Sequence, residues 1–342
     1  GKTASVSPFI DDETEGMTGS SNVKDTQTLL ELIHLYFTQP RKDPEAFRNL
    51  MEQQDEFLTN AHVNPMIAYN DTLHKVAYAT DRLESMNKKL LKKVSYDRIM
   101  QIYKERFANA ADFKLILTGN IDLDRLRPLL CQYMATLPAN DTFEQVGTKG
   151  ANLIDGEKVH IFTKEQTTPS ATTTIVIKGK MAYNNRNDLL MDAIGQLLRI
   201  VYTDKVREEK GGTYGVQASG SLQHHPYDEA MLRIAFQTDP QKYRELIPVI
   251  YEQLHKMADE GPTQEDLDKV KAYELKVYNQ LLRMNNYWEY VVYNDLFNGI
   301  DVDTDFRSIV ESMTCEEIRN TLRQLLNQKN CIEVTMTQKT PT

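Results

Sequence analysis

Cysteine and long apolar runs are scarce in this chain of 342 residues, and an excess of positive charge is missing. Its three cysteines, Cys131, Cys315 and Cys331, form no C-x-x-C pair and no even framework. Partly buried free thiols are the plain reading, and a disulfide between two of them stays open. Lys and Arg total 40 against 49 Asp and Glu, a net charge of −9. Without a basic footprint, a nucleic-acid partner is disfavoured. No apolar run reaches the roughly 18 residues that a membrane span needs. The opening Gly1-Lys2-Thr3-Ala4-Ser5 has no apolar stretch behind a basic end, so it is not a secretory signal. The residues themselves therefore do not give the compartment.

Several chemical motifs are missing as well. Zinc peptidase helices carry H-E-x-x-H or the inverted H-x-x-E-H, because a spacing of four puts two ligands on one face. None of His34, His62, His74, His160, His224, His225 or His255 fits either pattern. His224-His225 with Asp228 and Glu229 is the local His/carboxylate cluster. Beside Pro226 it reads first as a solvated hairpin turn and second as a metal site. There is no G-x-x-x-x-G-K-[ST] phosphate loop, no G-x-G-x-x-G fingerprint and no G-x-S-x-G elbow. Lys88, Lys89, Lys92 and Lys93 read as a solvated helix face.

What is present is an ordinary globular composition, 40% hydrophobic and 26% charged, at a length that suggests two domains. An extended stretch spans 5–10 and a Gly/Ser-rich turn region 16–22. Leu29, Leu30, Leu32, Ile33 and Tyr36 mark a helix that Pro40 ends. Asp43 caps the next helix, with Pro44 at its first position. Ser95 opens another helix, and a strand-like run, 113–118, follows it. Leu123 to Met134 reads as a helix. Residues 138–156 look like a linker, and the boundary falls near 148, giving domains 1–147 and 148–342. Beyond it come strands near 159–162 and 171–177, then a long helix over 188–209 stopped by Gly211-Gly212. A hairpin of 214–222 and 231–236 follows, then helices over 241–259, 263–296, 306–311 and 314–326, and a last strand at 332–336.

An internal repeat organises these elements. Ser95 onward matches Thr314 onward at an offset of 219, with Phe113 meeting Ile332 and Leu115 meeting Val334. Asp43 matches Thr263 at an offset of 220. The second copy has two strands and a long helix ahead of Gly211-Gly212, and the first copy has no counterpart. The first domain is therefore expected to be truncated, with exposed sheet edges. A longer polypeptide or a partner chain would complete it.

One constellation points to chemistry: Val206-Arg207-Glu208-Glu209-Lys210-Gly211-Gly212-Thr213-Tyr214-Gly215-Val216. Arg207 ends a helix, Tyr214 opens a strand, and the glycine pair reverses the chain between them. A guanidinium and a phenol together can hold a peptide carbonyl and stabilise negative charge. A cation at a helix C-terminus beside an ordinary strand tyrosine is the plainer alternative.

This stretch resembles the Arg–six residues–Tyr signature of the pitrilysin/insulinase family of zinc metallopeptidases. Gly1 to Ile10, Leu35 to Asp43 and Glu105 to Phe113 look like the same family in its large bacterial form. The resemblance implies an α+β fold of two homologous domains, each an antiparallel sheet with helices packed on one face. It identifies 1–147 with most of the family's third domain and 148–342 with a complete fourth domain. In the family, two halves close around a peptide like a clamshell, and the zinc motif lies in the first domain. By that likeness Arg207 orients the substrate backbone and Tyr214 hydrogen-bonds the scissile carbonyl. No zinc ligand carries over. The chain is thus expected to hold no cofactor, with zinc in an N-terminal half of the same polypeptide or in a homologous zinc-bearing subunit. Alone it would be inactive as a peptidase. Its expected partners are that half and a peptide substrate, and large bacterial relatives are often exported. Two alternatives stand beside this reading: a non-catalytic scaffold subunit of a processing-peptidase-like complex, and a peptide-binding module that uses strand edges.

Overall fold

The computed structural model of the chain describes residues 1–61, 63–78, 80, 83–144, 147, 151–210 and 213–338, with backbone alone at 206–210 and 213–214. These residues form seven strands: β1 (Ala4–Ile10), β2 (Glu15–Ser21), β3 (Glu157–Lys164), β4 (Ala171–Lys180), β5 (Thr213–Gln223), β6 (Glu229–Thr238) and β7 (Cys331–Gln338). The helices are α1 (Thr26–Thr38), α2 (Pro44–Ala61), α3 (Pro65–Ala77), α4 (Lys88–Leu91), α5 (Tyr96–Arg106), α6 (Leu123–Leu129), α7 (Asn185–Lys210), α8 (Tyr243–Glu260), α9 (Gln264–Leu281), α10 (Asn285–Asn298), α11 (Phe306–Ser312) and α12 (Cys315–Leu326). The fold is α+β with largely antiparallel sheets. Two compact units divide it. The first holds Gly1–Ala61, Met86–Gly150 and Met284–Asn298; the second holds His62–Ser85, Ala151–Arg283 and Gly299–Thr342.

The first unit is mostly helical around a β1–β2 hairpin. The Gly/Ser-rich stretch 16–22, expected as a turn, is strand β2 over most of its length, paired from Ala4↔Ser21 to Ile10↔Glu15. Packing explains its composition: a Cβ at Gly16 would lie 2.7 Å from the Phe9 ring across the pair. Helix starts follow their local signals. Asn22 accepts from the Asp25 N–H, and Ala46 N–H donates to Asp43 Oδ1, with Pro44 first in α2. Ser95 caps α5. α6 carries Pro128, which has no N–H to donate, and the chain continues as a wider π turn over Leu130–Met134. The strand-like run 113–118 is not a strand; it pairs with no neighbour among the described residues. Its anchor is aromatic instead, Phe113 meeting Phe37 edge-on at 5.0 Å and stacking on buried Phe107 at 5.3 Å.

In the second unit, five strands run in the order β3-β7-β4-β6-β5. The β3–β7 pair is parallel and the others antiparallel, so the sheet is mixed at one edge. Ile175, Ile177, Leu232 and Ile234 face helices α7, α8 and α12, where Ile194, Leu197, Leu198, Ile250 and Leu322 are fully buried. Each such aliphatic side chain stabilises the fold by about 1.5–3 kcal/mol. Alternate residues Val176, Ile332, Val334 and Met336 face the opposite way and pack on α3. Helix α3 was not expected from the sequence; its Tyr69 Oη lies 2.8 Å from Thr174 Oγ1. Residues 263–296, expected as one helix, form α9 and α10 with a break at 282–284. The break coincides with the passage of the chain from one unit to the other. Thr314 closes the start of α12 with a reciprocal Thr314/Glu317 capping box.

The repeat holds at the level of helices. α2 and α9 are each 18 residues long and begin 220 residues apart, at Pro44 and Gln264. α3 and α10 begin at Pro65 and Asn285, and α5 and α12 at Tyr96 and Cys315. Its strand half fails, because β7 is paired on both sides while 113–118 is not.

Candidate functional site

Helix α7 and strand β5 carry the two residues singled out by their spacing. One stripe of α7 (Leu190, Met191, Ile194, Leu197, Leu198 and Tyr202) is buried in the core, at the i, i+3, i+4 spacing of an amphipathic helix. Arg207 sits in its last turn. Tyr214 is the second residue of β5, an edge strand of the sheet. The side chains of both, and the Gly211-Gly212 pair between them, lie outside the described residues. Helix α7 ends at Lys210 and β5 begins at Thr213, so the two elements follow one another directly in the chain.

Two features fix that junction. The β5–β6 register runs Thr213↔Thr238 and then Val216↔Phe236, so β5 holds one extra residue in a bulge that includes Tyr214. Gly215, at φ 124°, takes up a backbone conformation that other residues avoid. Further along, α7 lies directly on β5. A Cβ at Gly220 would come 1.9 Å from Met191 O, and one at Gly195 would come 2.5 Å from Gly220 N. Sequence reasoning missed both glycines. The available signal was an isolated glycine inside a helix pattern and another inside a strand pattern, which together mark a close approach.

The start of α7 is tied down by charge. Arg186 Nε donates to Glu317 Oε1 at 2.7 Å, joining α7 to the α12 cap. Burial and the Asp192 carboxylate push Asp188 up to about 6, although it accepts from the Leu222 N–H. Gln196 Nε2 donates to Asp192 Oδ2 at 2.7 Å and also to Glu274 on α9, whose carboxyl burial holds above its ordinary value.

The remaining candidates are structural in their contacts. His224 Nδ1 lies 2.7 Å from Asp228 Oδ1, within the β5–β6 turn. Asp228 also accepts from the Tyr183 N–H at 2.8 Å, and these bonds hold its carboxyl below the usual range. Lys88 reaches Asp55 at 3.4 Å on an exposed surface. All three cysteines are free. Among the described residues no group of three or more His, Cys, Asp or Glu is arranged to hold a metal ion, and the sequence has no H-x-x-E-H.

Comparison with known proteins places this geometry in a family context. Residues 93–273, just over half of the chain, match the peptidase M16 inactive domain. The chain is 20% identical over 312 residues to the probable zinc protease PqqL of Escherichia coli (strain K12), covering 90% of this chain and 33% of that protein. The crystal structure of the periplasmic protease PqqL from Escherichia coli superposes with a TM-score of 0.85 at 18% identity, covering 98% of this chain and 37% of that one. The first half of the same PqqL also superposes, with a TM-score of 0.74 at 13% identity, covering 98% of this chain and 75% of that one. The chain thus spans about a third of the length of the PqqL proteins it matches.

Proposed function

The chain belongs to the family of peptidase M16 inactive domains, and from that premise we propose that it is the metal-free half of a zinc metalloendopeptidase. In this reading it binds and orients a peptide inside a clamshell chamber, and a separate zinc-bearing half performs the hydrolysis. The carrying observation is the α7–β5 junction. Arg207 lies in the last turn of a core-anchored helix and Tyr214 in the bulged edge strand that follows it, and this succession supports the reading. Arg207 holds a substrate backbone carbonyl. Tyr214 donates its phenolic proton in a hydrogen bond to the scissile carbonyl oxygen, gaining strength as negative charge develops there. The similarity to proteins described as zinc proteases supports this assignment.

The test uses the complete polypeptide or complex that contains this chain and a zinc motif. Tyr214→Phe should lower kcat by about a hundredfold with KM little changed, the signature of a contact made in the transition state. Arg207→Ala should act chiefly on KM. Unchanged kcat in the Tyr214 variant would reject these roles and leave a scaffold subunit as the better description.

A further inference from the structure

At one end of the second unit's sheet lies a cavity of about 790 Å3, within the range that accommodates small ligands. Its walls are the segment 152–155, the end of β4, the β5–β6 turn and the turn between α12 and β7. Lys178 on β4 reaches into this wall with its side chain only 7% exposed. Its ammonium donates to Leu153 O at 2.6 Å and pairs with Asp155 Oδ1 at 2.9 Å and Glu229 Oε2 at 3.5 Å.

The two carboxylates are not equivalent. Glu229 is 12% exposed and supplies the compensation that a buried ammonium requires. Asp155 is 88% exposed and reaches the same ammonium from solvent. The backbone around Asp155 is held without it. Ile154 N–H donates to Ala77 O at 2.8 Å, Gly156 N–H to Asn330 Oδ1 at 2.8 Å, and Cys331 N–H to Gly156 O at 3.0 Å. The Asp155 side chain can therefore swing away while the segment stays in place. Lys180 and Tyr227 line the same cavity.

We propose that this cavity is a carboxylate-binding site, in which the carboxylate of a ligand replaces Asp155 on the Lys178 ammonium. The site already seats one solvent-exposed carboxylate on this ammonium beside Glu229, so a ligand carboxylate fits the same position once it outcompetes Asp155, whose tethered charge and that of Asp228 remain at the rim. The ligand is the terminal carboxylate of a peptide or that of a small organic acid. The site is independent of Arg207 and Tyr214.

Calorimetric titration of the full chain tests this with N-acetyl-Ala-Ala as the free acid, with its C-terminal amide, and with acetate. The free acid should bind saturably, and the amide about tenfold more weakly, as expected for loss of a charge-assisted hydrogen bond. Asp155→Asn removes the resident carboxylate at constant size and should tighten binding of the free acid by about fivefold or more. Lys178→Gln should abolish the preference for acid over amide. Tighter binding of the peptide acid than of acetate assigns the site to peptide ends; equal binding assigns it to small acids. Equal binding of acid and amide, or an Asp155→Asn chain that binds no more tightly, overturns the proposal. Should Lys178→Gln not fold, because it strands Glu229, the Asp155 variant, which leaves the Lys178–Glu229 pair in place, decides alone.

Discussion

Asp188 shows how a single buried carboxyl couples this fold to pH. Burial first, and then the Asp192 charge, raise it to about 6. The native state thus holds the proton more tightly than the unfolded chain, whose Asp titrates near its ordinary value. The stability from this group is complete at low pH and is lost as pH rises from about 4 through about 6. Asp188→Asn should flatten that slope by about 1–3 kcal/mol between pH 4.5 and 7.5, measured by urea unfolding at both values. An unchanged slope would detach Asp188 from folding. At this scale the sequence was informative where chemistry is local. The spacing of Arg207 and Tyr214 and the Thr314 cap could be seen directly. Lys178 could not, because its environment comes from the segment 153–155 and from Glu229 on β6.

Among elements, the α7–β5 contact matters most for the site. Gly220 sits against Met191 O, where an added methyl has no room. Gly220→Ala should cost about 1–3 kcal/mol or more of stability by forcing helix and strand apart, read as a lowered thermal midpoint. Thr314→Ala, which removes only the α12 capping box, should cost about 1 kcal/mol. If Gly220→Ala unfolds no more easily than Thr314→Ala, the close approach is not holding the junction. Elements with strong local signals were legible: β4 with its run of Thr and Ile, α7 with its apolar stripe, α2 behind Asp43-Pro44. The failures share one cause. Residues 113–118 have strand composition but no partner, 16–21 have turn composition but a partner, and α9–α10 look continuous yet cross between units. Strand pairing and unit membership are non-local, and local propensity does not encode them.

For the whole molecule, helices that correspond in the repeat fall in different units from their neighbours in sequence. α3 belongs to the second unit and α10 to the first. Each unit is therefore built from both halves of the chain, and cutting between 147 and 148 would remove a helix from each. At this scale the proposed division of labour also becomes testable. The isolated chain, supplied with zinc, should hydrolyse no peptide. Combined with a half that carries H-x-x-E-H, it should restore hydrolysis in an assay with a fluorogenic peptide. Hydrolysis by the isolated chain that a chelator abolishes would place a metal site within it and reject the proposed division.

The sequence by itself determined the family, the α+β class, most helix boundaries and the two candidate contact residues. The family and class rest on the resemblance of whole stretches such as 206–216, and the helix boundaries on periodicity and capping over a few residues, all of which the chain carries along its length. Tertiary structure alone decided which extended segments become strands, that the sheet carries one parallel edge, how closely α7 approaches β5, and that a lysine in β4 is buried between an internal and an external carboxylate. Those outcomes depend on groups separated by tens to hundreds of residues, whose free energy exists only once the sheet has assembled and water has left the space between them.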